Sequence, residues 1–462
     1  MRLRCYRRSE TTAATPRVSW RCGFRVVAVF AAILAITACG SGGGGGSGAP
    51  VTFSLQAEAR SPSQINLSWT PHPGLTTVVF SRYEAHRNGV FLFSTSPQNT
   101  SGSNSELDPN TQYCYIVYAS SLILGVLGRS NEICAVTPDT APWRLETVDN
   151  AAISVGSKSL ANDSANGLHV SYRRGDGIVY ATNTSGQWAS TLIDNATGGF
   201  DNPAIALGTT GAIHISYNDP ASGALKHATN ASGSWVISPI DTTGSGSAIA
   251  LDSANHIHVS YVGNNQFGSF LSYANNLAGS WNVEFVTPAS GVSSTALAID
   301  AGGAAHVAYV EGSALCYVRY ATNASGTWVD NTVIASNTGC AAAIALDASG
   351  KAHIVYRQLF DLIYATNASG TWVTISVDQL EWVGIPDVSI TRDLLGALHV
   401  SYVDHNADLK YATNSSGSWE KFYIDTRGYV GMGNAVRVNN NGSVHITYYD
   451  TTNAKLKHAA DR

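Results

Sequence analysis

The residues with most chemical capacity recur as one phrase. An apolar pentad with His second and Tyr fifth occurs seven times, as LHVSY, IHISY, IHVSY, AHVAY, AHIVY, LHVSY and VHITY. Its histidines are His169, His214, His258, His306, His353, His399 and His445. Seven equivalent imidazoles could ring a metal, or each could be a buried group satisfied by one hydrogen bond. A second set lies in the Gly/Asn/Asp-rich segments 194–203, 378–387, 403–408 and 425–434, which hold Phe200, Glu381, Trp382, Asp404, His405, Arg427 and Tyr429. An exposed aromatic beside carboxylates can stack on a sugar ring, although the same ring can instead tuck back onto a strand. Arg174-Gly175-Asp176 spells an integrin tripeptide, a string short enough to recur by chance.

The elements that position these residues are strands. Charged residues make up 13% of the chain, glycines number 44, and no long stretch repeats with a 3.6-residue period. Short Val/Ile/Tyr/Thr runs alternate with Gly/Asn/Ser/Asp clusters from about residue 50 onwards, which reads as all-β. The His phrases are 44 to 48 residues apart, and a strand-built period in the forties is that of propeller blades. Each unit holds four strand-like pieces: a small apolar one such as AIALD, the His/Tyr piece, one like LKYAT, and one opening on Trp. Between the last two runs Thr-Asn-x-Ser-Gly-x, the chemistry of a type I turn closed by a glycine at positive φ. The Trp that follows can wedge between neighbouring blades.

Six tryptophans fit this series: Trp188, Trp235, Trp281, Trp328, Trp372 and Trp419. The chain stops at LKHAADR, where a seventh is due. Trp143 supplies it, because Asp149 follows it at the same six-residue spacing that joins Trp188 to Asp194, Trp235 to Asp241, Trp372 to Asp378 and Trp419 to Asp425. The first strand of the region therefore completes the last blade and leaves no open edge. The expectation is a seven-bladed β-propeller over 143–462.

A propeller puts its seven histidines at one radius, not at one point. A bond from each to a neighbouring blade's backbone or hydroxyl, as in the WD-repeat proteins that this histidine resembles, is then expected, with no metal and no cofactor. The Asn/Gly/Trp turn resembles a degenerate Asp-box of sialidase-like propellers. Asn323 holds the Asp slot, Ala321 departs from Ser/Thr, and Gly326 comes one place late. That resemblance implies a structural corner on the face opposite a site. The arginines are scattered and the Phe/Tyr-Arg-Ile-Pro motif of sialidases is absent, so a sialidase triad is not expected. A ligand would meet the loops of the other face, where propellers generally bind. Cys316 and Cys340 flank a third strand and the start of the next unit, and an inter-blade disulfide is expected.

Residues 51–139 read as a separate β-sandwich. The stretch SPSQINLSWT alternates Ile65, Leu67 and Trp69 against polar neighbours, Asn88-Gly89 marks a hairpin, and ELDPNTQYCYIVYA alternates again. Leu107, Pro109, Thr111 and Tyr113 at two-residue spacing resemble the tyrosine corner of a fibronectin type III domain, with Trp69 in the place of its core tryptophan. That resemblance puts Cys114 and Cys134 on its last two, adjacent strands and implies a disulfide between them.

The first 50 residues stand apart. Seven arginines precede the apolar run Val26–Ala38, which is too short to span a bilayer and suits a signal-peptide core. Ile36-Thr37-Ala38-Cys39-Gly40 resembles a bacterial lipobox. The resemblance implies cleavage of a 1–38 signal peptide and acylation of Cys39, and Gly40 favours the outer membrane or cell surface over inner-membrane retention. An ordinary secretory signal with a chance cysteine is the other reading. Residues 39–50 would be the lipidated Cys and a Gly/Ser tether reaching roughly 18 Å. The whole chain carries 27 Lys+Arg and 32 Asp+Glu. Losing seven arginines and Glu10 takes the net charge from −5 to −11, which disfavours nucleic acid and anionic lipid. The four remaining cysteines suit an oxidising compartment. The sequence thus points to a monomeric, non-catalytic lipoprotein of the cell envelope that binds a glycan or protein through the variable loops. A carbohydrate-active enzyme of glycosidase or lyase type, with its site in the central depression, is the alternative.

Overall fold

The computed structural model describes residues 51–461, except 62–63, 74, 76–80, 105–106, 109, 138–142, 199–201, 288–290, 313–315, 339–340, 359–360, 380–386 and 405–406. Phe200, Cys340, Glu381, Trp382, His405, Cys39 and the whole leader therefore lie outside the described residues. Every regular element described is a β-strand.

Seven four-stranded antiparallel sheets are described, each in simple up-and-down order. Ala152–Asn162, Leu168–Arg174, Gly177–Thr182 and Ala189–Asp194 make the first. The order repeats over 204–241, 245–287, 292–338, 342–379 and 388–425. Met432–Val438, Val444–Asp450 and Lys455–Asp461 form the last, and Trp143–Asp149 is its outer strand, running from Trp143 opposite Asp461 to Asp149 opposite Leu456. The first strands of successive sheets touch one another, and Met432–Val438 returns to touch Ala152–Asn162. The fold is a β-propeller in which the two ends of the sheet region meet in one sheet.

Burial follows from this stacking. Second strands such as Leu398–Val403 are buried at every position, because a sheet covered on both faces needs apolar residues in succession and not in alternation. Third-to-fourth-strand turns are alike. In the sheet over 292–338, the Asn323 side-chain oxygen accepts the Ala305 N–H at 2.7 Å, latching the turn to the start of the second strand. Gly326, at φ 86°, donates its N–H to the Asn323 carbonyl, a backbone conformation that only glycine adopts without cost. Asn183, Asn230, Asn276, Asn367 and Asn414 make the same latch, and Asp461 makes it in the last sheet.

Each Trp wedges against the preceding sheet. Trp235 meets Tyr180, Trp281 meets His227, Trp328 meets Tyr273, Trp372 meets Tyr320, Trp419 meets Tyr364, Trp143 meets Tyr411 and Trp188 meets His458, all with ring centroids 5.1 to 5.6 Å apart. Trp143 takes the seventh place in this series, and its side chain is 6% exposed.

The histidines differ from expectation in their partners. The imidazole binds within its own sheet: His306 Nδ1 is 2.6 Å from the Tyr320 hydroxyl of the third strand, and its Nε2 is 3.1 Å from Asp300 in the first turn. Tyr180, Tyr273, Tyr364 and Tyr411 serve His169, His258, His353 and His399 likewise, while His227 and His458 serve His214 and His445. Residue alternation says which way a side chain points, but not whether the nearest hydroxyl sits in the same sheet or the next.

Residues 51–136 form two further sheets. Leu55–Ser61, Gln64–Trp69 and Ser101–Asn104 make one. Val51–Phe53, Gly125–Ser130, Gln112–Ser121, Ser81–Arg87 and Val90–Thr95 make the other, with Ile133–Val136 also on Gln112–Ser121. Phe53, Ile65, Leu67, Trp69, Tyr83, Tyr115 and Val117 share one core. The Tyr113 hydroxyl accepts the Asp108 N–H at 3.0 Å. Cys114 and Cys134 stand directly opposite in register and are disulfide-bonded. Cys316 is also in a disulfide.

Candidate functional site

Up-and-down order places the second-to-third turns and the sheet-to-sheet connections at one end of every sheet, and the Asn-latched turns at the other. The candidate face is the first of these. Its interior is held by a recurring ionic tie. Five of the seven wedge tryptophans are followed six residues on by an Asp that accepts the hydroxyl of the phrase Tyr in the next sheet: Asp149 from Tyr172, Asp194 from Tyr217, Asp241 from Tyr261, Asp378 from Tyr402 and Asp425 from Tyr448. Three of these acids also receive a third-strand lysine. Lys226 joins Asp194 and Asp219, Lys410 joins Asp378, and Lys457 joins Asp425 and Asp450. Lys410 and Lys421 hold the Asp378 carboxyl below its usual range against the opposing effect of burial. Burial is also the first cause raising Tyr402 and Tyr448, and their acid partners add to it.

Two buried arginines brace the same end. Arg173, 1% exposed, donates to the carbonyls of Ala196, Gly198 and Asn218, tying a connection to the next sheet. Arg357, 2% exposed, is lowered by burial and faces the carboxylates of Asp404 and Asp387. The ring axis is bridged as well. The first strand jumps register between Val155 and Leu160, and within that jump Lys158 Nζ donates to the carbonyls of Gly246 and Thr295, in the third and fourth sheets. Ser389 of the sixth sheet donates to the Ser157 carbonyl.

One patch of the face is knit from three loops. Val430 N–H donates to the Ala407 carbonyl, and Thr451 N–H donates to the Tyr429 carbonyl. Tyr429 N–H donates to the Thr452 hydroxyl at 2.7 Å. The connection 426–431 is thereby pinned between the turn 404–408 and the turn 451–454. Arg427 is exposed on it, and the Tyr429 ring is 46% exposed. An exposed tyrosine whose backbone is held by its neighbours, with an exposed arginine two positions before it, can stack on a ring while the arginine donates to its oxygens.

Of the ligand residues expected from the sequence, Arg427 and Tyr429 therefore share one loop. Asp404 lies at the adjacent turn but points inward, 2% exposed, with Oδ1 accepting the Asp408 N–H. The Arg174-Gly175-Asp176 ends grip each other, with Arg174 Nε and Nη2 donating to the two Asp176 oxygens. Phe267, 83% exposed on the second-to-third hairpin of the third sheet, is an aromatic of this face that the sequence reading passed over. Its signal was a lone aromatic inside the polar string GNNQFG. Among the described residues, no group of three His, Cys, Asp or Glu side chains is placed to hold a metal.

No protein-family profile matches the chain, and no curated protein matches it in sequence. Solved structures do. A mutant of AofleA from Arthrobotrys oligospora is 14% identical over 61% of this chain and 90% of its own, with a TM-score of 0.45. The Aleuria aurantia lectin bound to alpha-methyl-L-fucoside is 15% identical over 61% and 97%, TM-score 0.43. The polysaccharide lyase Uly1 is 8% identical over 67% and 90%, TM-score 0.47. These likenesses stand beside the sheet topology described above, which carries the propeller assignment by itself.

Proposed function

We propose that this chain is a cell-envelope lipoprotein that binds a glycan through the variable-loop face of a seven-bladed propeller, carried on a fibronectin type III sandwich and an acylated Cys39. The pinned loop that presents Tyr429 and Arg427 carries this reading, because an exposed aromatic on a fixed backbone with an exposed cation on the same loop suits a sugar ring. The buried acids of the face support binding over catalysis: Asp219, Asp378, Asp425 and Asp450 are each at most 8% exposed, and each is paired with lysine. A carboxylate held by lysine is neither a ready general acid nor a free nucleophile.

A glycan array probed with the whole protein tests the proposal. Tyr429→Ala should weaken the strongest glycan signal at least tenfold, and Arg427→Ala should weaken it by less. A glycan bound equally well by both variants would place the site elsewhere, and silence across the array would leave a protein ligand in its stead.

A further inference from the structure

The sandwich carries an apolar tip that its own core does not use. Gln112–Ser121 and Gly125–Ser130 are joined by Leu122, Ile123 and Leu124, which are 68%, 67% and 64% exposed, and Val126 follows at 51%. Three consecutive exposed aliphatic residues on one hairpin are unusual on a protein surface. From Gln112 to Gly128 the sequence has no charged residue. The tip is also preformed: the N–H groups of Ile123 and Leu124 both donate to the Ser121 hydroxyl. Two polar groups that would oppose transfer out of water are thus already bonded.

Its location identifies its occupant. Val51–Phe53 pairs in parallel with Gly125–Ser130, with Val51 opposite Arg129. Strands in parallel begin at the same end, so Val51 starts its strand on the side where the tip stands. Arg129 is four positions beyond Gly125, about 13 Å along the strand at ~3.3 Å per residue. The strand that leaves the sandwich, Ile133–Val136, ends opposite Gln112, at the far end. Cys39 precedes Val51 by twelve residues, a separation of about 19 Å on average and at most ~40 Å when fully extended.

We propose that Leu122, Ile123 and Leu124 form a second membrane contact, dipping into the lipid surface to which the chain is tethered. The proposal rests on the Cys39 anchor for its setting but not for its chemistry. One weak insertion next to a tether works at high local concentration, so a tip too small to bind alone can still hold the sandwich upright on the bilayer. Because the segment is uncharged, the contact should be indifferent to salt and to anionic lipid.

The test reads the tip itself. The full chain carrying Ile123→Trp is reconstituted in phosphatidylcholine vesicles with and without bromine on the acyl chains, and the unsubstituted chain supplies the background of native indoles. Ile123 is exposed, so the substitution leaves the core untouched. The added emission should be blue-shifted and quenched at least twofold by the brominated chains, unchanged by raised salt or by added phosphatidylglycerol. Added emission that is unquenched and water-like overturns the proposal. So does emission that is blue-shifted but unquenched, which would assign the tip to a protein surface or a second copy of the chain. Palmitate labelling separates the two readings. Quenching without a label at Cys39 upholds the tip and removes the anchor, whereas a label without quenching upholds the anchor and removes the tip.

Discussion

In five sheets the phrase His bonds a tyrosine, but in the second it bonds another histidine. His214 Nδ1 lies 3.1 Å from His227 Nε2, and the two rings are 7% and 5% exposed. The first turn of that sheet also lacks the acid that faces its counterparts, because Gly208 stands where Asp163, Asp300 and Asp393 stand elsewhere. Burial pushes His214 down to about 4, and burial with the neighbouring His214 pushes His227 to about 3. An unfolded histidine titrates near 6.5, so below that pH the unfolded chain binds protons that the folded chain refuses. Stability is therefore lost as pH falls from about 6.5 towards about 4 and then 3. At pH 5 each ring held neutral costs about 2 kcal/mol relative to pH 8, at ~1.36 kcal/mol per unit over ~1.5 units. The pair then costs about 4 kcal/mol. His227→Tyr installs the partner found in five other sheets and removes one of the two rings. The loss between pH 8 and pH 5 should shrink by about 2 kcal/mol, because every other titrating group is common to both proteins. For roughly 320 residues unfolding with ~2.1 cal/mol/K each, that is a difference of about 3 °C in how far the midpoint falls. Thermal unfolding of the whole protein at the two pH values measures it, whatever His227→Tyr does to stability at pH 8. Equal falls in both proteins would refute the reasoning.

The ionic ties between sheets should be graded by what they leave behind. Asp378→Ala strands Lys410, whose side chain is 9% exposed, and should cost about 3–5 kcal/mol. Asp241→Ala strands no lysine, because Ser272 stands at the lysine position; it releases the Tyr261 hydroxyl and the exposed Thr242 N–H and hydroxyl, and should cost about 1–3 kcal/mol. Equal thermal shifts would show that the lysine is not what makes these sites costly. Trp143→Ala should cost about 3–5 kcal/mol and expose Lys455–Asp461 as a free edge, seen as light scattering near the midpoint. Trp372→Ala, which empties an equivalent wedge away from the closure, should destabilise without that scattering.

The repeat made the architecture legible, because a strand period in the forties, the four-residue turn and the Trp-to-Asp spacing are all local in sequence. Trp143 could be placed in the last sheet because its spacing to Asp149 copied that of four other units, although its strand partner lies at the far end of the chain. The ties were not legible. The Trp-to-Asp spacing was visible, but Asp194 and Tyr217 belong to different sheets, and neither residue announces the other. Lys226, Lys410 and Lys457 recur at one position of the third strand, but nothing local in the sequence says that each meets an acid of the preceding sheet. Asp404 was misplaced for a related reason. A polar run such as VDHNAD looks solvated throughout, yet its first acid turns inward to accept the Asp408 N–H and close the turn.

These placements constrain where binding chemistry can reside. A propeller held only by apolar wedges would leave the acids of its variable end free for a ligand or a reaction. Here the acids are spent between sheets, and removing one leaves a buried hydroxyl or ammonium without its partner. Recognition is then left to side chains beyond the ties, on loop tips whose backbones are fixed and whose side chains are not. Tyr429, Arg427 and Phe267 meet that description among the described residues. A substitution at a tip should change ligand binding and leave the melting temperature alone, while one in a tie should do the reverse. That division follows from the geometry, and a variant of Tyr429 that unfolds the protein would break it.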